Sequence, residues 1–425
     1  MAALKGGPYC RVNRGSIAAL DETASAALYP TPMKFSRLTE RISGEGARAW
    51  AVHEEAIRRR RAGQEVIVLS VGDPDFDTPP PIVAEAKASL DRGRTHYTSI
   101  VGDPHLRAAI AHYHGARAGV TIGPENVVVM AGAQCALFAA VLCLLDQEEE
   151  IIVPEPMYVT YEAAVGASGA MMRRVPLRPE HGFRLQAEDV AAAIGPRTRA
   201  VLINSPNNPT GLVIRRSELE KLAALCREHD LWLISDEVYG SLVFEGEHVS
   251  PASLPGMEER TVVIDSLSKS HAMTGWRVGW AIGPEALMHH LARLSLCMLY
   301  GSPGFIQDAA VVALESGPDA LEEMKAAYRR RRDKLHRQLS QVPTLSVPLP
   351  EAGMFLMVDV SRTGATAQDF AFGLLDAERV AVLPGGAFGP QIASYVRINL
   401  GAPDAELEET GRRIARYAES LGSKA

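Results

Sequence analysis

The residues best suited to chemistry lie in Asp265-Ser266-Leu267-Ser268-Lys269-Ser270-His271, followed by Thr274-Gly275-Trp276-Arg277. An apolar run, Thr261 to Ile264, reads as a buried strand, and the hydroxyls, lysine, glycine turn and arginine come directly after it. A lysine held on a short loop beside a buried strand is partly desolvated, which favours the neutral amine that attacks carbonyls to form a Schiff base. Arg277 and the two serines add a forked cation and hydroxyl donors, the partners a phosphate needs. A molecule with both a carbonyl and a phosphate, such as pyridoxal phosphate, could be held at both ends by this one loop. Ser266-x-x-Lys269 also fits the serine-nucleophile motif of penicillin-binding enzymes, but its companions are missing: position 235 opens Ser-Asp-Glu, and Met273-Thr274-Gly275 lacks the lysine. On this loop alone, a lysine that merely caps a sheet edge is an equal reading.

The elements around the loop narrow the choice. Between Pro81 and Leu296, helical stretches (Ile82 to Arg92, His105 to Ala118, Gln134 to Leu145, Glu218 to His229) separate short apolar runs at Val127 to Ala131, Ile151 to Val153, Ala200 to Ile203, Leu231 to Ile234 and Thr261 to Ile264. Runs that are apolar throughout predict strands buried on both faces, hence a mostly parallel sheet covered by helices. Ser217-x-x-Glu220 reads as a capping box at the start of one helix. In such sheets ligands bind outside the carboxyl ends of the strands.

Each strand end contributes different chemistry. Gly132-Ala133-Gln134 exposes backbone N–H groups at a helix N-terminus, a ready phosphate site or an ordinary tight turn. Glu155-Pro156-Met157-Tyr158 brings a ring that could stack on a flat heterocycle or simply pack. Asn204-Ser205-Pro206-Asn207-Asn208-Pro209-Thr210-Gly211 is a turn with more amides and prolines than a turn requires. In Ser235-Asp236-Glu237-Val238-Tyr239, a carboxylate at a buried strand end is costly unless paired, so Asp236 needs a cation, and a protonated pyridine nitrogen would serve.

The chain has 425 residues, 47% hydrophobic and 22% charged, enough for one large domain and a smaller partner. A net charge of -7 gives no reason to expect nucleic acid, and no apolar run reaches membrane-spanning length. Cys10, Cys135, Cys143, Cys226 and Cys297 are odd in number and scattered, as expected of reduced thiols in a cytoplasmic protein. The histidines form no spaced metal cluster, and His112 and His114 read as surface residues.

Residues 1–34 read as a flexible Ala- and Gly-rich extension without the apolar core of a signal peptide; Arg11 and Arg14, ahead of the first acid Asp21, leave room for a targeting segment. A helix over Ala47 to Arg61, ending in a solvated Arg58 to Arg61, and a strand over Val66 to Val71 lead into the turn Gly72-Asp73-Pro74-Asp75-Phe76. Beyond residue 321 come a helix over Glu322 to Leu339 with Arg329 to Arg332 on a solvated face, apolar runs at Phe355 to Val360, Val380 to Leu383 and Val396 to Leu400, and helices around Asp369 to Leu375 and from Glu406. The expected division is 35–72 and 322–425 for the smaller α+β domain and 73–321 for the larger one. Arg397, flanked by strand-forming apolar residues, is either a ligand for an anion or half of a structural salt bridge.

Taken together, Ser205-Pro-Asn-Asn-Pro-Thr-Gly211, Ser266-x-Ser-Lys269 and Gly275-Trp-Arg277, in this order, resemble the class I aminotransferases of the large pyridoxal-phosphate superfamily with the aspartate-aminotransferase fold. The resemblance runs from about Phe35 to the end and implies an α/β, fold-type I chain with a mostly parallel central sheet. It implies Lys269 as the Schiff-base lysine, Asp236 as partner of the pyridine N–H, Asn208 and Tyr239 on the cofactor's phenolic oxygen, and Tyr158 stacked on its ring. Ala133, Gln134, Ser266, Ser268 and Arg277 would hold the phosphate, with Tyr97 reaching it from a second subunit of a homodimer. Gly72, Arg397 and Asn208 would meet the substrate. Tyr158 where tryptophan is usual, and Gln134 in the phosphate turn, are mild departures.

A finer resemblance lies in Gly132-Ala-Gln-Cys-Ala-Leu137, Glu155-Pro-Met-Tyr-Val-Thr-Tyr161, His248-Val-Ser-Pro-Ala-Ser-Leu-Pro-Gly-Met257 and Cys297-Met-Leu-Tyr-Gly-Ser-Pro303, which are similar to bacterial arginine:pyruvate transaminases. This implies transfer of the α-amino group of L-arginine to pyruvate by a ping-pong route. Glu155, near the predicted rim, is then the candidate acceptor for the guanidinium. Other donor specificities and carbon–sulfur lyase chemistry share the scaffold. A regulatory, aminotransferase-like binding protein would need a DNA-reading module that a tail of roughly 35 residues is too short to form.

Overall fold

Runs of β-branched and apolar residues without polar alternation build a seven-stranded sheet in the computed structural model, which describes residues 34–43 and 50–422. In spatial order the strands are Val127–Met130, Gly279–Ile282, Thr261–Ser266, Trp232–Asp236, Thr198–Asn204, Glu150–Glu155 and Met171–Pro176. Gly279–Ile282 runs antiparallel to both of its neighbours, and the other pairs are parallel. Val262, Val263 and Ile264 in the middle strand are wholly buried, each contributing about 1.5–3 kcal/mol over an exposed side chain. Helices such as Ala133–Leu144, Arg216–Glu228 and Pro104–Ala118 cover the sheet and close separate apolar clusters on its faces.

A further cluster joins the two ends of the described chain. Val52, Ala56, Val66 and Leu69 pack with Met324, Tyr328, Leu335, Phe370, Leu374, Ile398 and Ala418. Two small sheets belong to this region: Ile67–Val68 pairs in parallel with Val380–Ala381, and Tyr395–Asn399 lies antiparallel between Leu383–Pro384 and Phe355–Asp359. No described helix is long and apolar enough to cross a membrane.

Several expectations change. Residues 1–33 of the expected extension, with Cys10, Arg11, Arg14 and Asp21, lie outside the described residues. The strand expected over Val66 to Val71 shrinks to Ile67–Val68, because Leu69 N–H and Asn399 N–H are the last cross-chain bonds before the turn at Gly72. Two strands escaped notice: Met171–Pro176 is an edge strand whose Arg173 and Arg174 face solvent and mask any apolar run, and Gly279–Ile282 follows the Trp276-Arg277 turn without a break. Ser217 is no cap: the helix begins at Arg216, after an extended Arg215 whose side chain makes no capping bond. His114 is buried rather than on the surface, where loss of solvent lowers its pKa.

The helix Asp319–Leu339 departs most from expectation, since Arg331 and Arg332 are buried with Tyr328, Leu335 and Leu339 on its inner face. The Arg331 guanidinium is satisfied by both oxygens of Asp75 (2.7 and 2.9 Å), by Asp404 and by the Leu400 carbonyl, and lies over the Phe76 ring. Arg332 donates to the Pro350 carbonyl and Glu245, over Phe244. A run of four arginines cannot all face one way on a helix of 3.6 residues per turn, and the long stems let two of them pack inward once the charges are paired. Through Asp75, Arg331 anchors the turn that begins at Gly72.

Candidate active site

The carboxyl ends of five parallel strands meet at one cavity of about 450 Å3. Its wall brings together Lys269, Asp236, Asn208, Tyr239, Tyr158, Ala133, Gln134, Ser266, Ser268, Arg277, Gly72 and Arg397. Tyr97 is not among them: the residue is 85% exposed, and its ring rests on Tyr300 at 4.8 Å. Glu155 is also absent from the wall, being buried at its strand end beside Arg174 at 3.2 Å. It can neither reach a ligand in the cavity nor act as a solvated charge.

Lys269 sits in one helical turn, Leu267–Ser270, rather than on a loop. Ser266 is the N-cap residue, its hydroxyl accepting from Ser268 N–H at 3.4 Å. The short turn lifts the lysine over the cavity, where Nζ donates to the Gly72 carbonyl at 2.5 Å. Burial brings the amine down to about 8, opposed by Asp73 and assisted by Arg397 and Arg277. Neutral amine is therefore accessible near physiological pH.

One end of the cavity suits an oxyanion. Gly132, at φ +85°, precedes the helix Ala133–Leu144, and a Cβ there would lie 2.5 Å from Arg277 Nη2. Arg277 itself is left-handed (φ +54°), which turns its guanidinium back toward that helix start, fixed by the carbonyls of Thr274 (2.8 Å) and Ala131 (3.2 Å). The unsatisfied N–H groups of the first helical turn, a guanidinium and two seryl hydroxyls thus share one corner. Gln134 turns its amide oxygen to Thr160, so it offers backbone rather than side chain here.

The opposite end is buried. Asp236 Oδ2 accepts from the Tyr161 hydroxyl at 2.6 Å and Oδ1 from Val238 N–H at 3.3 Å. Burial pushes the Asp236 carboxyl up to about 6 against those two donors, so it gains strongly from a cation in the cavity. Asn204, in register with Asp236, accepts from Asn208 N–H at 2.7 Å and so sets the start of the Asn208 turn. Burial raises the Tyr239 hydroxyl far above its ordinary value and keeps it a donor.

Arg397 is wholly enclosed, between the rings of Phe355 (4.0 Å) and Phe388 (4.9 Å). Nη1 donates to Asn208 Oδ1 and Nη2 to the Ser70 carbonyl, both at 2.9 Å, while buried Nε has no partner among the described residues. Among the described residues no carboxylate pairs with it, and burial lowers its pKa to about 10, so an anion entering the cavity would supply a counter-charge. Gly72 lies against the same ring: a Cβ would meet Phe355 Cζ at 2.5 Å.

This geometry unites a depressed amine, an oxyanion corner, an unpaired buried carboxylate and an unpaired buried arginine. The family described as "Aminotransferase class I and II" matches residues 64–414. The chain belongs to that family. This aminotransferase is 57% identical to the arginine–pyruvate transaminase AruH of Pseudomonas aeruginosa over 92% of its own length and 99% of that protein's. It is 36% identical to aromatic-amino-acid aminotransferase 2 of Thermococcus litoralis, over 83% and 91%. Its fold is that of the aspartate aminotransferase of Thermus thermophilus, solved with maleate, at a TM-score of 0.86 and 35% identity, covering 91% and 100% of the two chains.

Residues that sequence reasoning missed are Tyr161, the two rings around Arg397, and Trp50 and Asp73 on the wall. Tyr161 stood inside a quoted motif, yet nothing in a sequence says which tyrosine of a pair reaches a carboxylate 75 residues away.

Proposed function

We propose that this aminotransferase uses pyridoxal 5'-phosphate to move the α-amino group of L-arginine to pyruvate, giving 5-guanidino-2-oxopentanoate and L-alanine in two alternating half-reactions. The cofactor reading is carried by one observation: the partly desolvated Lys269 amine lies between the oxyanion corner at Arg277 and the buried, under-satisfied Asp236. When bound, the cofactor supplies the carbonyl that takes up the amino group and a conjugated ring that accepts the electron pair from Cα. Lys269 removes and returns the Cα proton. Asp236 holds the proton on the ring nitrogen, Asn208 and Tyr239 donate to the phenolic oxygen, and Tyr158 covers the ring. Ala133 and Gln134 N–H, Ser266, Ser268 and Arg277 bind the phosphate.

Arg397 and Gly72 receive the α-carboxylate common to every amino acid, so they orient substrate without choosing it. The arginine reading rests on the 57% identity to a transaminase of that name over nearly the whole of both chains. With Glu155 enclosed beside Arg174, the carboxylate on the wall left for a guanidinium is Asp73, steadied by Thr274 at 2.7 Å. The active species is a cytoplasmic homodimer in which Tyr97 completes the neighbouring phosphate site, a reading supported by its exposed ring.

The test is a keto-acid-coupled screen of the purified enzyme against the common amino acids with pyruvate, following alanine. L-Arginine is expected to lead, with lysine intermediate and aspartate poor. Equal or better turnover of aspartate or an aromatic amino acid overturns the donor assignment and leaves the aminotransferase standing.

A further inference from the structure

We infer that Tyr161 is a positioning residue that acts on the reaction through Asp236, holding one carboxylate oxygen so that the other stays available to the cofactor's ring nitrogen. The inference rests on the cofactor reading above and extends it to a residue with no contact to the cavity. Tyr161 is 1% exposed and opens the helix Tyr161–Ser168. Its N–H donates to the Tyr158 carbonyl at 3.1 Å, and the two rings meet edge to face at 5.7 Å and 85°. A single turn therefore supplies the ring on the cavity wall and the hydroxyl behind it.

The geometry gives that hydroxyl a specific task. A carboxylate can rotate about its Cβ–Cγ bond, and a buried one turns toward whatever donors exist. At Asp236 these are Tyr161, at 2.6 Å to Oδ2, and the Val238 N–H, at 3.3 Å to Oδ1. The short contact commits Oδ2; the long one leaves Oδ1 weakly held. Tyr161 cannot drift, because its ring belongs to the apolar cluster of Val153, Met157, Val165 and Leu202. Burial and the Asp236 charge both raise its pKa well above the ordinary value, so the hydroxyl remains a donor and Asp236 the acceptor.

A tyrosine that merely fills space would tolerate loss of its oxygen, whereas a positioning tyrosine would not. Tyr161→Phe keeps the ring and removes the donor. Expected are a fall in kcat of about 10- to 100-fold, KM values for both substrates within about 2-fold of wild type, and weaker retention of pyridoxal phosphate on dialysis, followed by its visible absorption. Thermal unfolding of the cofactor-free variant checks folding. A double-mutant cycle decides the route: in an Asp236→Asn background, Tyr161→Phe should cost almost nothing further in kcat. Wild-type kcat and cofactor retention in Tyr161→Phe, or losses that multiply fully in the double variant, would overturn the inference. Failure of wild type to bind pyridoxal phosphate at all would instead strike the cofactor reading.

Discussion

Asp236 and Glu237 are neighbours at one strand end, both buried, yet their surroundings differ completely. Successive residues at a strand end point to opposite sides, so Asp236 reaches the cavity and Glu237 the layer behind it. Burial would raise both carboxyls. At Glu237 the His248 imidazole (2.9 Å to Oε2), the nearby His114 and the Ser250 hydroxyl (2.8 Å to Oε1) outweigh it and hold the group down to about 2, and Ser235 also donates to Oε1 at 2.9 Å. At Asp236 the short bond from Tyr161 and the long one from Val238 do not, and it rises to about 6. A carboxylate with its partners in place is scaffold, whereas one left short of partners waits for a ligand. Arg397, unpaired by any acid, repeats the second arrangement with the opposite charge.

The largest effects should fall on the cavity side. Lys269→Ala should abolish transfer and leave no pyridoxal phosphate fixed to the chain on borohydride reduction. Asp236→Asn should lower kcat by roughly 10²- to 10⁴-fold, with the fold intact by circular dichroism. Glu237→Gln should do the reverse, leaving turnover within a few-fold while lowering unfolding free energy by about 3–5 kcal/mol, because it strands buried donors. Near-normal turnover in Asp236→Asn, or a dead but fully stable Glu237→Gln, would erase the distinction.

A smaller effect concerns pH in the cofactor-free protein. The raised pKa of Asp236 gives stability that is complete below about pH 4 and is lost as pH rises through about 6. The depressed pKa of Glu237 gives stability that is complete above about pH 4.5 and is lost only as pH falls toward 2. Between pH 4 and 6 wild type should therefore weaken relative to Asp236→Asn, by at most about 3 kcal/mol. Urea midpoints at several pH values measure this, and parallel curves for the two proteins would contradict it.

The smallest effect tests donor choice. Asp73 is exposed on the cavity wall, so its attraction for a guanidinium is screened. Asp73→Asn should cut kcat/KM for L-arginine by up to about 5-fold more than for L-alanine or for neutral L-citrulline. Equal losses on all three would remove Asp73 from recognition of the side chain.

The sequence by itself determined five of the seven strands of the large sheet and the polar turns at their carboxyl ends. Val262 to Ile264 is apolar in every residue, and the hydroxyls, Lys269 and Arg277 follow within one short stretch, so local composition carried the oxyanion corner. Only the tertiary structure decided what each buried charge meets. Whether Arg331 and Arg332 face water or core, whether Glu155 reaches a ligand or Arg174, and which tyrosine holds Asp236 depend on contacts between segments far apart in the chain. A buried ionisable group is defined by its partners more than by its own type, because desolvation acts on it whatever the sequence and only nearby donors and counter-charges offset that cost.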